Sequence, residues 1–213
     1  MWQPNLFAHF PESGLACCSL SSRNGIPAFA NGRPEIEAAI AFARVKHAGQ
    51  LQGDGRPFLA HPVEVAARLD RIGAPEHLVT AGVLHDVVEK AGVSEAQLRR
   101  RFGAQVTRLV LSVTDDESIS GYAERKAALR HQVALAGGDA LTLFAADKLS
   151  MSAELRREIG LDRDANRSLR SRRLKHYQRS LAMLEERLGE SPLVRGLRRE
   201  LRTFERERPT IRR

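Results

Sequence analysis

The chain has 213 residues, 42% hydrophobic and 28% charged, which suffices for one domain with a full apolar core and excludes wholesale disorder. Its two cysteines, Cys17 and Cys18, are neighbours, so a disulfide scaffold, a C-x-x-C redox motif and a cysteine zinc knuckle are excluded. The net charge of +8 lies wholly in the last third, where residues 151–213 hold 18 Lys and Arg against 10 Asp and Glu; Arg mixed with Glu at helical spacing reads first as a solvated helix surface and second as a face for an acidic partner.

Residues 1–33 mix Pro, Gly, Ser and Asn without a sustained period and are expected to form a poorly ordered leader. From Pro34, Ile36, Ala39, Ile40 and Ala43 recur at three and four residues, predicting an amphipathic helix that runs to about His47. Residues 48–60 (AGQLQGDGRPFLA) carry three glycines and a proline and predict a loop. Pro62 stands in the first turn of a second helix, which Gly73 ends. Pro75-Glu76 opens a third helix, apolar on most sides through Leu78, Val79, Val83, Leu84, Val87 and Val88, and therefore central. Ser94 with Gln97 three residues on forms a capping box for a short helix to about Phe102, and the helical period resumes after Gly103. Further helices are expected over about 122–136, 140–158 and 168–188, with a last piece from Pro192. No stretch alternates like a strand, so the fold class is all-α, a helical bundle with a core over 34–160 and basic helices over 161–213 packed on it. No apolar run is long enough to cross a bilayer and no signal-peptide pattern opens the chain, so no membrane partner and a cytoplasmic location are expected.

The chemistry sits in polar residues set in apolar helical sequence. His85 and Asp86 fall between Leu84 and Val87, in the most hydrophobic helix. Burying an imidazole beside a carboxylate costs several kcal/mol unless something compensates. A divalent cation would do so, and so would a plain His–Asp hydrogen bond in the core. Two more such positions favour the cation: His61, directly before Pro62, and Asp147, isolated in Leu143-Phe144-Ala145-Ala146-Asp147-Lys148-Leu149. Two imidazoles and two carboxylates make a mixed nitrogen and oxygen ligand set. Glu89, four residues after His85, is expected one turn along the same helix face, where a carboxylate can orient or deprotonate a metal-bound water. Lys148 reads equally as a point charge for a phosphate oxygen and as a solvated lysine.

The segments AFARVKHAGQ, GRPFLAHPVEVAARL, LHDVVE, RRFGAQVTRLVLSVTD and ADKL, spread from Ile36 to about Ala153, resemble the hydrolase domain of RelA/SpoT-type proteins and the stand-alone small alarmone hydrolases of the HD superfamily. The resemblance implies an HD-domain helical bundle, removal of pyrophosphate from the 3′ position of (p)ppGpp, Mn²⁺ as the cofactor, and His61, His85, Asp86 and Asp147 as its ligands. It also marks departures. Glu89-Lys90 stands where the family carries Glu-Asp, which places a lysine at the substrate; Gln52-Gly53 replaces an Arg-Lys pair that contacts the nucleotide; Met151 replaces an Asn. His47, in the matching HAGQ segment, is assigned to no site. The leading reading is a metal-dependent phosphohydrolase acting on a small phosphorylated nucleotide. A degenerate HD domain serving as a nucleotide-binding regulatory module is the alternative, with Lys90 closing the position of the lost acid. Nucleic-acid binding through the C-terminal arginines ranks last, since no aromatic residues interleave with them, and a homo-oligomer through the last helices is left open.

Overall fold

The computed structural model describes residues 26–161 and 167–206. Cys17, Cys18 and most of the expected leader lie outside them. The leader's last residues do not fit that expectation: 26–33 form a 3-10 turn, Ala28–Ala30, whose Ala30 is fully buried, and Arg33 reaches Asp70 at 2.6 Å. Ala30 is small enough to fit beneath the first helix, and the Arg33–Asp70 pair ties the turn to the second.

Nine helices follow among the described residues: α1 (Pro34–Lys46), α2 (Ala60–Arg71), α3 (Glu76–Leu84), α4 (Val87–Ala91), α5 (Glu95–Ser112), α6 (Tyr122–Ala136), α7 (Gly138–Leu161), α8 (Arg167–Leu188) and α9 (Pro192–Arg206). There is no strand among them, and one isolated bridge joins Leu51 to Pro57 in the loop between α1 and α2. The sequence signals act where they stand. Pro34 lies in the first turn of α1, Ser94 Oγ accepts the Gln97 amide at 3.2 Å, and Gly103, at φ 78°, kinks α5 where the period was interrupted.

One expectation needs correction. The third helix is not continuous: it stops at Leu84, His85 and Asp86 form a turn, and α4 begins at Val87. Asp86 takes the N-cap position of α4, yet its side chain caps nothing. His85 and Asp86 keep right-handed helical backbone angles, so the interruption lies in the hydrogen-bond ladder.

Two close approaches set the bundle. A Cβ on Gly82 would come within 2.8 Å of Leu69 Cδ1 and 3.3 Å of the Ala66 Cα, so the absence of a side chain lets α3 lie this near α2 without displacing either. Gly196 does the same for α9 against Leu149 of α7. The helix α7 is the central element, with fourteen of its residues buried, Asp147 and Lys148 among them. On it pack α8, through Tyr177 and Leu184, and α9, through Leu193, Val194, Leu197, Leu201 and Phe204. Each such apolar side chain contributes roughly 1.5–3 kcal/mol on burial, so the basic helices are anchored by their apolar faces while most of their arginines remain outside.

Candidate metal centre

The close α2–α3 approach at Gly82 brings His61, in the first turn of α2, to His85, one turn after the glycine. Their Nε2 atoms stand 3.2 Å apart. Asp86 Oδ2 lies 3.3 Å from His85 Nε2 and 3.5 Å from His61 Nε2. From α7, Asp147 Oδ1 approaches the same point, 3.2 Å from His61 Nε2 and 3.7 Å from His85 Nε2. The donors of His61, His85 and Asp86 fall within 4.8 Å of one another. All four predicted ligands therefore come together, from α2, the α3–α4 turn and α7.

Hydrogen bonding identifies what this cluster lacks. His85 Nδ1 lies 2.8 Å from the Gly82 carbonyl oxygen, to which it donates its proton. In the neutral ring the Nε2 lone pair then points at His61 and the two carboxylates. Asp147 Oδ2 is held by Lys148 Nζ at 2.7 Å, whereas its buried Oδ1 has no hydrogen-bond partner. Lone pairs converge on one point, and orphaned buried acceptors are rare unless something positive sits between them. The residues fit a divalent cation, with Gly82 and Lys148 orienting two of the ligands from behind.

The electrostatics agree. Burial alone would lower the His85 imidazole, but Asp86 and Asp147 outweigh it and raise it to about 9. Burial pushes the Asp147 carboxyl up, and Lys148, His61 and His85 overcome it and hold it well below the usual carboxylate range. Asp86 is likewise pushed up by burial and drawn below the usual range by His85 and His61. The pocket favours positive charge, whether a proton or a metal ion supplies it.

The other predicted residues are placed less simply. Glu89 lies in α4 with its carboxylate on Lys90, which is half-exposed. Lys148 is buried, with its ammonium 4.7 Å from the centre of the Phe144 ring as well as on Asp147. Gln52 faces inward and braces its own loop, donating to the Pro57 carbonyl and accepting from Arg56.

Sequence reasoning left two groups unassigned. One braces the centre: His47 is buried, its Nδ1 donates to Gln50 Oε1 at 2.9 Å, Gln50 Nε2 donates to the Lys90 carbonyl, and the His47 ring packs on Phe58. Burial holds His47 below its ordinary value. The HAGQ segment signalled this group without showing its direction. The second group is cationic. Lys126 and Arg172 lie 6.0 and 5.6 Å from the Tyr122 ring, and Lys148 and Arg173 act on the same phenol. Behind them His176 accepts from Arg130 at 2.9 Å; burial and the charges of Lys148, Lys126 and Arg130 push it down to about 2.

An all-helical bundle with two histidines and two aspartates meeting at a break between helices has the layout of an HD domain. Residues 39–138 match the family model described as the HD domain. It is 36% identical over 80 residues to a guanosine-3′,5′-bis(diphosphate) 3′-pyrophosphohydrolase of Aquifex aeolicus, a match covering 38% of this chain and 12% of the relative. It is 38% identical over 79 residues to a GTP pyrophosphokinase of Myxococcus xanthus, covering 37% of this chain and 10% of that one. The matched segments are thus about a tenth of these relatives' length. Among solved structures, a metazoan SpoT orthologue described as hydrolysing ppGpp superposes with a TM-score of 0.70 at 24% identity, covering 80% of this chain and 95% of the other, a likeness of fold.

Proposed function

We propose that the chain is a metal-dependent phosphohydrolase that removes pyrophosphate from (p)ppGpp or a related nucleotide. The observation that carries this reading is the convergence of His61, His85, Asp86 and Asp147 with an orphaned carboxylate oxygen at the meeting point. The activity for which the Aquifex relative is named supplies the substrate class. The four residues would hold the cation, and the mixed nitrogen and oxygen donor set suits Mn²⁺. When bound, the cation polarises a phosphoryl oxygen and makes water a better nucleophile. Glu89 is the group assigned to take the proton of the attacking water, and its carboxylate is paired with Lys90. Lys148 fixes Asp147, and its charge joins Lys126, Arg172 and Arg173 in a field suited to the remaining phosphates. Lys90, half-exposed, is the lysine left to meet a phosphate oxygen.

The test is metal content of the purified protein together with pyrophosphate release from ppGpp in added Mn²⁺, with Asp86→Ala as control. Bound metal and release that the substitution abolishes are expected; metal-free protein without release overturns the reading. The Glu89–Lys90 pair also motivates a second reading, a regulatory module that keeps nucleotide and metal but turns over slowly. A large rise in turnover on Lys90→Asp would favour it. No helix of the described residues is long and apolar enough to cross a membrane, and the cytoplasm is the proposed compartment.

A further inference from the structure

Residues 151–213 hold 17 Arg and a single Lys, so their positive charge is almost wholly guanidinium, the group whose planar fork meets phosphate through two hydrogen bonds. Several of these arginines are already paired inside the protein. On α7, Arg156 binds Glu200 at 2.5 Å, and Arg157 binds Asp54 of the loop before α2 at 2.9 Å. On α8, Arg173 binds Glu158 at 2.7 Å and Arg172 lies over the Tyr122 ring. On α9, Arg198 is held by Glu185 at 2.7 Å and by Glu190 at 2.6 Å.

Three arginines of α9 differ. Arg195, Arg199 and Arg202 are exposed, and none of them has an ion pair among the described residues. Steps of four and three residues put them on one line about 10 Å long, within an arc of about 60°. The buried face of α9, Leu193, Val194, Leu197, Leu201 and Phe204, lies opposite. Glu200, the acid between them in sequence, is turned aside to Arg156. With Arg198 and Thr203 the three line a surface depression of about 400 Å³. No other described helix presents such a row. On α5, Arg99 faces Glu95 and Arg101 packs on the Phe42 and Phe102 rings, which leaves Arg100 by itself. On α8, the exposed line of Lys175 and Arg179 is broken by Glu186.

A row of unpaired guanidiniums repels itself and attracts a polyanion. An acidic bilayer is one such surface, but a helix lying in a membrane interface sinks its apolar face into it, and that of α9 is occupied by α7. Nucleic acid is the other. Tyr177 and Phe204, the aromatic residues of α8 and α9, are buried, so no ring is left to stack on a base. Holding a phosphate backbone needs no ring, only positive charge, and about 10 Å of one strand carries about three phosphates. We infer that the outer ridge of α9, Arg195, Arg199 and Arg202, binds the phosphate backbone of a nucleic-acid duplex without reading its sequence. This goes beyond the hydrolase reading and does not depend on it, since no contact joins the three arginines to the metal centre.

The experiment follows fluorescence anisotropy of short labelled DNA and RNA duplexes titrated with the full chain at several salt concentrations. Three phosphate contacts give a slope of log affinity on log salt of about −2.7, a loss of about 40-fold between about 50 and 200 mM. Arg199→Ala with Arg202→Ala is expected to flatten the slope to about −0.9 and the loss to about threefold, whereas lysine at both positions keeps the slope, because charge and not shape sets it. A duplex of scrambled sequence is expected to bind within about twofold of the first. Binding of either duplex in this way supports the inference, and the tighter names the nucleic acid. No binding at about 50 mM salt overturns it, as does a slope that the two alanines leave unchanged, which would place the contacts elsewhere. Vesicles of phosphatidylserine and phosphatidylcholine are the control. Tighter binding to them than to either duplex, lost in the same alanine variant, would make the ridge a membrane contact and overturn the inference.

Discussion

His85 and His176 are both 4% exposed, yet the first is raised to about 9 and the second lowered to about 2. Burial acts on them in the same direction, disfavouring the charged ring. Their neighbours decide the outcome. His85 sits between Asp86 and Asp147 at the end of α3, and His176 sits on α8 among Arg130, Lys126 and Lys148. Two regions of one bundle thus carry opposite fields: carboxylates surround His85, and ammonium and guanidinium groups surround His176. Lys148 stands on the boundary, giving Asp147 its partner and His176 its repulsion. A buried histidine therefore says little about function until the sign of the charge around it is known.

The largest expected effect comes from removing that boundary. Lys148→Met leaves Asp147 buried without its ammonium and should destabilise the metal-free protein by about 3–5 kcal/mol, less when Mn²⁺ is added, as read from urea midpoints. Equal loss with and without metal would break the assignment of Asp147 to a cation site. Next, His85→Ala should lower Mn²⁺ affinity by about 100-fold or more, since loss of a mere outer-shell partner already costs metal sites 10–100-fold. Calorimetric titration of the metal checks this, and an unchanged affinity would remove His85 from the ligand set.

The pH dependence tests both histidines at once. His176 is depressed in the folded state, so below about 6.5 the unfolded chain binds a proton the native one refuses, and stability falls as pH falls by about 1.4 kcal/mol per unit. His85 is raised, so in metal-free protein its contribution is present below 6.5 and is lost as pH rises through about 9. Metal-free protein should show both slopes; His176→Phe should flatten the acidic one, and saturating Mn²⁺ the alkaline one. The smallest effect is expected from Arg130→Met, which removes one of the three cations acting on His176 and should soften the acidic slope without abolishing it. An acidic slope unchanged in His176→Phe would trace acid instability to other groups.

Much of this molecule is legible in its sequence. Helix starts and stops at Pro34, Ser94, Gly103 and Pro192 act through local backbone geometry, and the structure places them where the residues predict. The four candidate ligands were legible for a different reason. An ionisable residue isolated in an apolar helical run, as at Asp147 or at His85 and Asp86, is a burial conflict that needs a partner. The break at His85-Asp86 was not legible, because Leu84, Val87 and Val88 keep the apolar pattern on both sides of it. Nor were the roles of His47, Arg130, Arg173 and His176. Each is an ordinary polar residue on an amphipathic helix or at its end, and each acquires its meaning from a residue 40 or more positions away or from a neighbouring helix.

By itself, then, the sequence determined the all-helical class, the element order and the four residues able to hold a metal, since periodicity, capping and isolated burial are properties of short stretches of chain. Only the tertiary structure decided that Gly82 lets α3 close on α2 so that two imidazoles meet at 3.2 Å, that Lys148 serves Asp147, and that the loop at Asp54 is tied to α7. Electrostatic and hydrogen-bonding roles depend on distances across the bundle, and distance in space is what a linear pattern does not carry.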